Sequence, residues 1–202
     1  MHQNNRLIDI AGQFRMDGVP SEVKALGDGF INDTYTVLIA GSPIRYILQR
    51  KNTAIFKDVP GMMSNIKAVT EHLKKKIADA GGDPMREALT VVPAKDGRLY
   101  YECDGEYWCA TVFIDDSVSY DKADSEYLAE CGGRGIGRFQ AMLADFEGEL
   151  VDTLPGFHNI KYRFVQWDKT LAEDPAGRAA EVRDLISEIE ARRSEMLDFF
   201  KL

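Results

Sequence analysis

The sequence predicts an α+β fold, in which a small antiparallel sheet with one helix is followed by a region of helices. Within residues 1–116, short runs in which β-branched or aromatic residues alternate with polar ones are typical of strands. One apolar series at helical spacing interrupts these runs, and after residue 117 the apolar residues recur at helical spacing. We therefore expect two domains, residues 1–116 and residues 117–202.

Turn residues separate most of the predicted strands. Gly27-Asp28-Gly29 joins the first two strands, and Gly41-Ser42-Pro43 joins the next two. Asp96-Gly97 and Asp104-Gly105 are dipeptides typical of β-hairpins, so the last three strands are expected to form a meander. The expected product is an antiparallel sheet of five to six strands, which cover residues 22–26, 34–40, 45–50, 89–93, 98–103 and 107–114.

One helix is predicted between the third and fourth strands, with Pro60 near its start and Gly81-Gly82 just past its end. It is expected to pack on the sheet. A second helix follows residue 117, and a third is expected to begin at Asp174-Pro175, because Asp caps helices and Pro suits the first helical position. The apolar positions of the three helices are Met62, Ile66, Val69, Leu73 and Ile77; Tyr127, Leu128, Cys131, Ile136, Phe139, Met142, Leu143 and Phe146; and Val182, Leu185, Ile186, Ile189, Met196 and Phe200.

The last predicted helix carries an apolar stripe for which the sequence offers no obvious cover. Phe199 and Phe200 belong to this stripe. Because exposed apolar patches usually bind another surface, we predict self-association through residues 125–202.

A glycine-rich run, Gly132-Gly133-Arg134-Gly135-Ile136-Gly137, lies within the second predicted helix. A phosphate-binding loop of the dinucleotide type follows a strand, whereas this run follows a helical pattern. We therefore interpret these glycines as positions of close helix packing.

Composition excludes several classes of function. The 202 residues are 45% hydrophobic and 29% charged, which is typical of a globular protein, and the formal net charge is -8. This charge argues against nucleic acid or an anionic membrane surface as a partner, because both require clustered Lys and Arg. No stretch approaches the roughly 18 apolar residues of a membrane helix, so a cytoplasmic protein is predicted. The three cysteines lack C-x-x-C spacing and are expected to be reduced thiols.

The turn at residues 27–33 is the first candidate for chemistry. Glycine lacks the side chain that would keep backbone N–H groups away from phosphate oxygens, so Gly27 and Gly29 suit a loop over a nucleotide. By itself the turn also fits an ordinary hairpin in which Asn and Asp stabilise the bend. It is not a Walker loop, because no G-K-[ST] follows and the next element is a strand.

Four segments in order resemble aminoglycoside phosphotransferase-like kinases, which have a protein-kinase-like fold. They are GFINDTY at residues 29–35, YILQRKN at residues 46–52, WCATVFI at residues 108–114 and LPGFHN at residues 154–159. The resemblance is greatest to the N-acetylhexosamine 1-kinases and spans nearly the whole chain. It implies a kinase-like amino-terminal lobe followed by the first helices of a helical second lobe, and we therefore expect the chain to be an amino-terminal fragment.

The resemblance also implies a nucleotide site that uses ATP with Mg²⁺. The phosphates are expected under the hairpin, with backbone amides as donors and Asn32 as a side-chain contact. Adenine is expected at the hinge. The implied nucleotide-binding residues, apart from the third strand, are Gly27, Gly29, Phe30, Ile31, Asn32 and Asp33 in the hairpin, and Val112, Phe113 and Ile114 in the hinge.

The third strand of such a lobe presents a Lys to the phosphates. Here the simplest alignment places Gln49 at that position, with Arg50 next to it. Strand alternation points these side chains to opposite faces, so only one of them reaches the phosphates. Charge favours Arg50 and alignment favours Gln49. The Glu that orients the Lys is also missing from the next helix, and a Gln49–Asn65 hydrogen bond is one candidate replacement.

The catalytic motifs of the family are missing from these 202 residues. None of the histidines begins an H-x-D-x-x-x-x-N segment, and no D-x-D occurs, so neither a catalytic Asp nor a metal-binding pair is supplied. His158 and Arg163 are candidates for contact with a sugar. We therefore expect the ATP-binding part of a sugar kinase that is inactive by itself. The alternatives are a non-catalytic module for nucleotide binding or interaction, and a scaffold that binds no nucleotide.

Overall fold

The structure is a computed structural model that describes residues 2–27 and 29–198, with side chains from residue 5 onward. Asp28 of the hairpin and Phe199 and Phe200 of the last stripe lie outside the described residues. The helices are α1 (His2–Ala11), α2 (Val59–Asp79), α3 (Pro84–Glu87), α4 (Glu126–Leu143), α5 (Ile160–Glu173) and α6 (Arg183–Asp198). The strands are β1 (Pro20–Ala25), β2 (Asp33–Ile39), β3 (Arg45–Lys51), β4 (Val91–Val92), β5 (Tyr101–Cys103) and β6 (Glu106–Val112).

All six strands form one antiparallel sheet, so the predicted α+β class is confirmed. The order β1-β2-β3-β6 runs across it, and β4 and β5 both pair with the remaining edge of β6. The order of hairpin, third strand, helix, further strands and helices is the one expected of a kinase-like amino-terminal lobe. At the turn between β5 and β6, Asp104 and Gly105 have φ angles of 53° and 74°, as a tight hairpin requires.

The predicted meander of the last three strands is wrong, because β4 does not pair with β5. The chain after β4 pairs instead with residues that follow α1. Arg15 N–H donates to Pro93 O at 2.9 Å, Lys95 N–H donates to Gln13 O at 2.7 Å, and Phe14 forms a bridge with Ala94. The predicted turn at Asp96-Gly97 does form, with Ala94 N–H donating to Arg98 O at 2.8 Å, but it does not lead into a β4–β5 pair.

Helix α1 was not predicted, although it completes the main core. Its apolar residues pack on one face of the sheet, here called the α1 face, together with the buried Leu48 and Trp108. The helix is short and begins with polar residues, so its apolar spacing extends over only two turns. The residues of α1 and the following turn that lie in the core are Leu7, Ile10, Ala11 and Phe14.

Helix α2 packs on the opposite face, here called the α2 face. Val59 and Met63 are buried there against Cys109 of β6. Because side chains alternate along a strand, neighbouring residues of β3 belong to different faces. The two faces therefore separate the side chains of Gln49 and Arg50.

The first turn of α2 is capped by Asp58, whose Oδ1 accepts the Gly61 N–H at 2.8 Å. Replacing Asp58 by alanine should lower the free energy of unfolding by about 1 kcal/mol, because one of the orphan donors of the helix loses its acceptor. Chemical denaturation measures this change. Asp79→Ala is the matched control, since that carboxylate lies at the carboxyl end of the same helix and should not stabilise it. Equal losses in both variants would contradict the capping role.

The chain divides into two compact units, residues 1–153 and residues 154–202. Helix α4 belongs to the first unit, where Met142 and Leu143 pack beside Leu73 and Ile77 of α2. The boundary between residues 116 and 117 stays a prediction about where the two lobes of a kinase-like fold meet. Most of α4 is exposed, and no residue of this helix is buried.

The glycines of α4 do not serve close helix packing. A Cβ added at any of these four positions has no atom of a neighbouring element within 4 Å in the described part of the chain. That interpretation is wrong because the glycine-bearing part of the helix faces open space. The four positions are Gly132, Gly133, Gly135 and Gly137.

The predicted start of the last helix at Asp174-Pro175 is also wrong. Asp174 ends helix α5, which was not predicted, and has a φ angle of 35°. Its Oδ1 accepts the N–H groups of Arg178 and Ala179 at 2.9 and 3.2 Å. A short 3₁₀ turn, Ala179–Val182, follows, and α6 begins only at Arg183. Asp174 therefore accepts backbone N–H groups as a helix cap would, but these hydrogen bonds stabilise a turn between two helices.

Candidate functional site

The two glycines of the β1–β2 hairpin are required by the backbone. Gly27 has a φ angle of 67°, a conformation that L-residues rarely adopt. Gly29 has an ordinary φ, but a Cβ there would lie 2.7 Å from the Asn32 carbonyl oxygen. Phe30 and Ile31, between Gly29 and β2, are exposed. The hairpin therefore presents backbone and apolar side chains to solvent.

Asn32 joins the hairpin to the end of β3. Its Oδ1 accepts the Asn52 N–H at 3.0 Å. The oxygen of the Asn32 side chain is therefore used to position the hairpin. Its amide nitrogen, Nδ2, is the atom that could donate to a phosphate oxygen.

The structure assigns Gln49 and Arg50 to different faces of the sheet. Gln49 lies on the α2 face, where its Nε2 donates to Thr34 Oγ1 at 3.1 Å. Arg50 lies on the α1 face, where it donates from Nε to Asp33 at 2.7 Å and from Nη1 to Glu106 at 2.6 Å. Both the charge and the donors of Arg50 are therefore engaged within the protein.

Arg50 belongs to a chain of ion pairs that reaches helix α1. Arg6 of that helix donates to the other oxygen of Glu106 at 2.7 Å. Burial alone would raise the pKa of the Glu106 carboxyl, but the hydrogen bonds from Arg50 and Arg6 outweigh it and lower that pKa. The hydrogen bonds that Arg50 donates to Glu106 and then to Asp33 raise the pKa of Arg50. This chain holds Asp33, and with it the end of the hairpin.

Replacing Arg50 by methionine should release Asp33 and loosen the hairpin. We expect a loss of about 1 kcal/mol in the free energy of unfolding, because partly exposed ion pairs contribute little each. Hydrogen exchange of the β2 amides next to the hairpin should become faster. Arg98→Met is the control, because Arg98 pairs with Asp96 within its own turn. Unchanged exchange at residues 33–35 in the Arg50 variant would contradict the positioning role.

The hinge segment offers fewer free donors than expected. Val112 N–H donates to Thr90 O at 2.9 Å, and Phe113 N–H donates to Arg45 O at 3.0 Å. The Arg45 guanidinium also lies 4.1 Å from the centroid of the Phe113 ring and donates from Nε to Asp115 at 3.0 Å. Ile114 follows the last of these pairings. Its carbonyl accepts from Ser117 Oγ at 3.1 Å, so of the three predicted adenine contacts its N–H is the donor best placed to meet a base.

Lys51 is a candidate that the sequence analysis did not consider. It lies two residues beyond Gln49, hence on the same α2 face, and its Nζ donates to Gln49 Oε1 at 2.7 Å. The side chain is half-buried, and burial lowers the pKa of its ammonium group. Because side chains on one face of a strand recur every second residue, the sequence could have identified Lys51 from its position two residues after Gln49.

A hollow of about 320 Å³ opens where the hairpin, the end of β3 and the β5–β6 turn meet. Its volume lies within the lower range of small-molecule sites. The residues that border it are Ile31, Asp33, Arg50, Lys51, Asn52, Thr53, Gly105 and Glu106. The structure thus brings the hairpin and the end of β3 together at one cavity.

The two candidates for sugar contact lie in the second unit. His158 is exposed and its ring packs against Phe157, with centroids 4.3 Å apart. Arg163 is exposed and donates from Nη1 to Gln166 at 2.9 Å. These contacts are local to α5 and the residues before it, so the role in substrate binding stays a prediction.

The Gln49–Asn65 hydrogen bond is not formed. Asn65 uses both ends of its amide on Val151, with Nδ2 donating to the carbonyl at 2.8 Å and Oδ1 accepting the N–H at 3.0 Å. Asn65 therefore anchors the segment that follows α4.

Two features are absent from the described residues. Residues 5–27 and 29–198 contain no group of three or more His, Cys, Asp or Glu side chains that could hold a metal ion. No helix within the described ranges is both long and apolar enough to cross a membrane.

Comparison with known proteins gives two findings. No family profile matches the chain. Among solved structures, the chain is similar to spectinomycin phosphotransferase in complex with ADP and spectinomycin, with a TM-score of 0.49 and 11% sequence identity. The match covers 73% of this chain and 39% of that one, so the chain spans about two fifths of the length of that protein. A likeness of this degree says nothing about what the present chain binds.

Proposed function

We propose that these residues form the ATP-binding part of a cytoplasmic phosphotransferase that acts on a sugar. One observation carries the proposal: the sheet has a hairpin with two required glycines beside the end of β3, and the backbone N–H of Ile114 lies at the opposite end of the same strands. A nucleotide along the α2 face would have its phosphates at the hairpin and its base at the hinge. Motifs GFINDTY and YILQRKN support the same orientation.

The reaction of the whole enzyme would transfer the γ-phosphoryl group of ATP to a hydroxyl of a sugar of the N-acetylhexosamine type. Such transfer depends on positioning and on electrostatic stabilisation of the phosphates, which backbone N–H groups and cations supply. Mg²⁺ enters the proposal as the counter-ion of ATP, and the described residues contain no cluster of three or more His, Cys, Asp or Glu side chains that could hold it by themselves.

Binding without turnover is expected of these 202 residues. They contain neither an H-x-D-x-x-x-x-N segment nor a D-x-D segment, so no group is supplied to accept the proton of the sugar hydroxyl. ATP-dependent phosphorylation of N-acetylglucosamine or N-acetylgalactosamine by a pure preparation of this chain would contradict this part of the proposal.

Calorimetric titration with ATP and Mg²⁺ tests nucleotide binding. We expect a weak but saturable interaction, with a Kd between about 1 μM and 1 mM, because half of a two-lobed cleft would be contacting the nucleotide. Adenosine should bind more weakly than ADP. A folded chain that gives no saturable heat with millimolar ATP would contradict the proposal and would favour a scaffold or an interaction module.

An interaction module is the second candidate, and the exposed apolar side chains of α4 favour it. Tyr127, Ile136 and Phe139 are 69%, 64% and 45% exposed. Exposed apolar groups on one helix are typical of a contact surface. Light scattering across a range of protein concentrations tests the predicted self-association, and a strictly monomeric chain would contradict it.

A further inference from the structure

We propose that the ammonium group of Lys51 binds the phosphates of the nucleotide, and that Arg50 acts only by positioning the hairpin. The inference rests on the proposed function, since it names the cation of that same site. It differs from both assignments that the sequence offers, because Gln49 carries no charge and the guanidinium of Arg50 is already paired with two carboxylates.

The faces of the sheet give the first step. Lys51 pairs with Tyr107 of β6, and Gln49 pairs with Cys109. Tyr107 and Cys109 both pack with the residues of α2. Lys51 therefore belongs to the face along which the nucleotide would lie, together with Gln49 and Thr34 of the adjoining strand.

Charge balance gives the second step. Arg50 contacts two carboxylates, those of Asp33 and Glu106. Among the side chains that the structure describes, no carboxylate lies within 4 Å of Lys51 Nζ, whose hydrogen bond is to the neutral amide of Gln49. An ammonium group has three donors, and a half-buried charge without a counter-ion is costly. A phosphate would supply both the acceptors and the missing negative charge.

The thiol beside Lys51 does not supply that charge. Burial raises the pKa of Cys109 to about 11, although the nearby Lys51 charge opposes this effect. The thiol is therefore neutral at physiological pH, and the positive charge of Lys51 is uncompensated on this side as well.

The orientation of Gln49 gives the third step. Its Nε2 donates to Thr34 Oγ1, so its Oε1 is turned toward Lys51 and accepts from Nζ. Since Thr34 belongs to β2 directly after the hairpin, the amide fixes the ammonium group beside the strand that carries the hairpin. Lys51 also borders the hollow, together with Arg50 and the two carboxylates that neutralise Arg50, Asp33 and Glu106. Gln49 is thus a positioning residue for Lys51.

The test compares ATP, ADP and adenosine as calorimetric ligands for three forms of the full 202-residue chain. In Lys51→Met, the Kd for ATP and ADP should rise at least tenfold while the Kd for adenosine stays within about twofold, because only the phosphates lose a partner. Lys75→Met is the matched control, an exposed lysine of α2 that should leave all three values unchanged. The Tm of Lys51→Met should equal or exceed that of the wild type, because the variant removes a half-buried charge.

Each alternative outcome is distinguishable. A wild-type chain that binds none of the three ligands overturns the proposed function and this inference with it. Saturable ATP binding with the same Kd in the wild type and in Lys51→Met overturns the assignment of Lys51 and leaves the proposed function standing. An equal rise in the Kd for ATP and for adenosine in Lys51→Met also overturns the assignment of Lys51. If Lys51→Met lowers the Tm, Lys51→Gln is titrated instead, and ATP affinity like that of the wild type in this variant overturns the assignment.

Discussion

Replacing Gly29 by valine should weaken ATP binding about a hundredfold, which corresponds to about 3 kcal/mol. A Cβ at this position would lie 2.7 Å from the Asn32 carbonyl oxygen, which belongs to the backbone and cannot rotate away. The hairpin must therefore shift as a whole. Asn32, which ties the hairpin to Asn52 at the end of β3, would be displaced with it. The backbone N–H groups would then no longer face the phosphates.

Calorimetric titration of Gly29→Val with ATP measures the loss. The same substitution at Gly132 is the matched control, because a Cβ there meets nothing within 4 Å in the described structure. Gly132→Val should keep the ATP affinity of the wild type. Circular dichroism should show an intact sheet in both variants, since the substitutions lie outside the core. Equal ATP affinity in Gly29→Val and the wild type would mean that the hairpin does not cover the phosphates.

Replacing the four glycines of α4 by alanine should stabilise that helix by about 3 kcal/mol. Glycine in a helix interior costs about 0.8–1.0 kcal/mol relative to alanine, because it loses more backbone entropy on folding. All four positions have room for a Cβ, so no clash offsets the gain. Hydrogen exchange of the α4 amides measures the stabilisation of the helix itself. Chemical denaturation measures how much the free energy of unfolding of the first unit rises. The substitutions are Gly132→Ala, Gly133→Ala, Gly135→Ala and Gly137→Ala.

Gly81→Ala is the control, for which we expect a decrease in the free energy of unfolding instead of an increase. Gly81 lies just past the end of α2 with a φ angle of 76°, where a Cβ has open space but the backbone conformation is unfavourable for alanine. It should lower the stability by roughly 1 kcal/mol. Unchanged or faster hydrogen exchange in α4 of the fourfold variant would contradict the expected stabilisation of this helix.

The sequence by itself determined those elements whose signals are local. The turn at Asp104-Gly105 is specified by residues that tolerate positive φ angles, and both have them. Helix α2 was predicted from its apolar spacing and from Pro60 and Gly81-Gly82, because helix ends are set by residues within a turn of them. The strands β1, β2 and β3 were also predicted, with limits that differ by up to two residues.

Partners that are distant in sequence decided the remainder of the fold. Strand β4 is not joined to β5 because residues 13–15 compete for its continuation, and that competition involves hydrogen bonds across about 80 positions of the chain. Helix α1 is held by the sheet that it covers, since so short a helix is marginal without packing. Asp174 has the residue type of a helix cap, but its hydrogen bonds stabilise the turn after α5.

The candidate site shows the same division. Alternation along β3 determined that Gln49 and Arg50 face opposite ways, because the period of two is a property of any strand. The alternation alone did not determine which face of the sheet Gln49 occupies and which Arg50 occupies. Only the packing of α1 and α2 on opposite sides of the sheet decided that Arg50 meets Asp33 and Glu106 and that Gln49 meets Lys51. A side chain's neighbours across a sheet come from other strands and helices, and no local pattern records them.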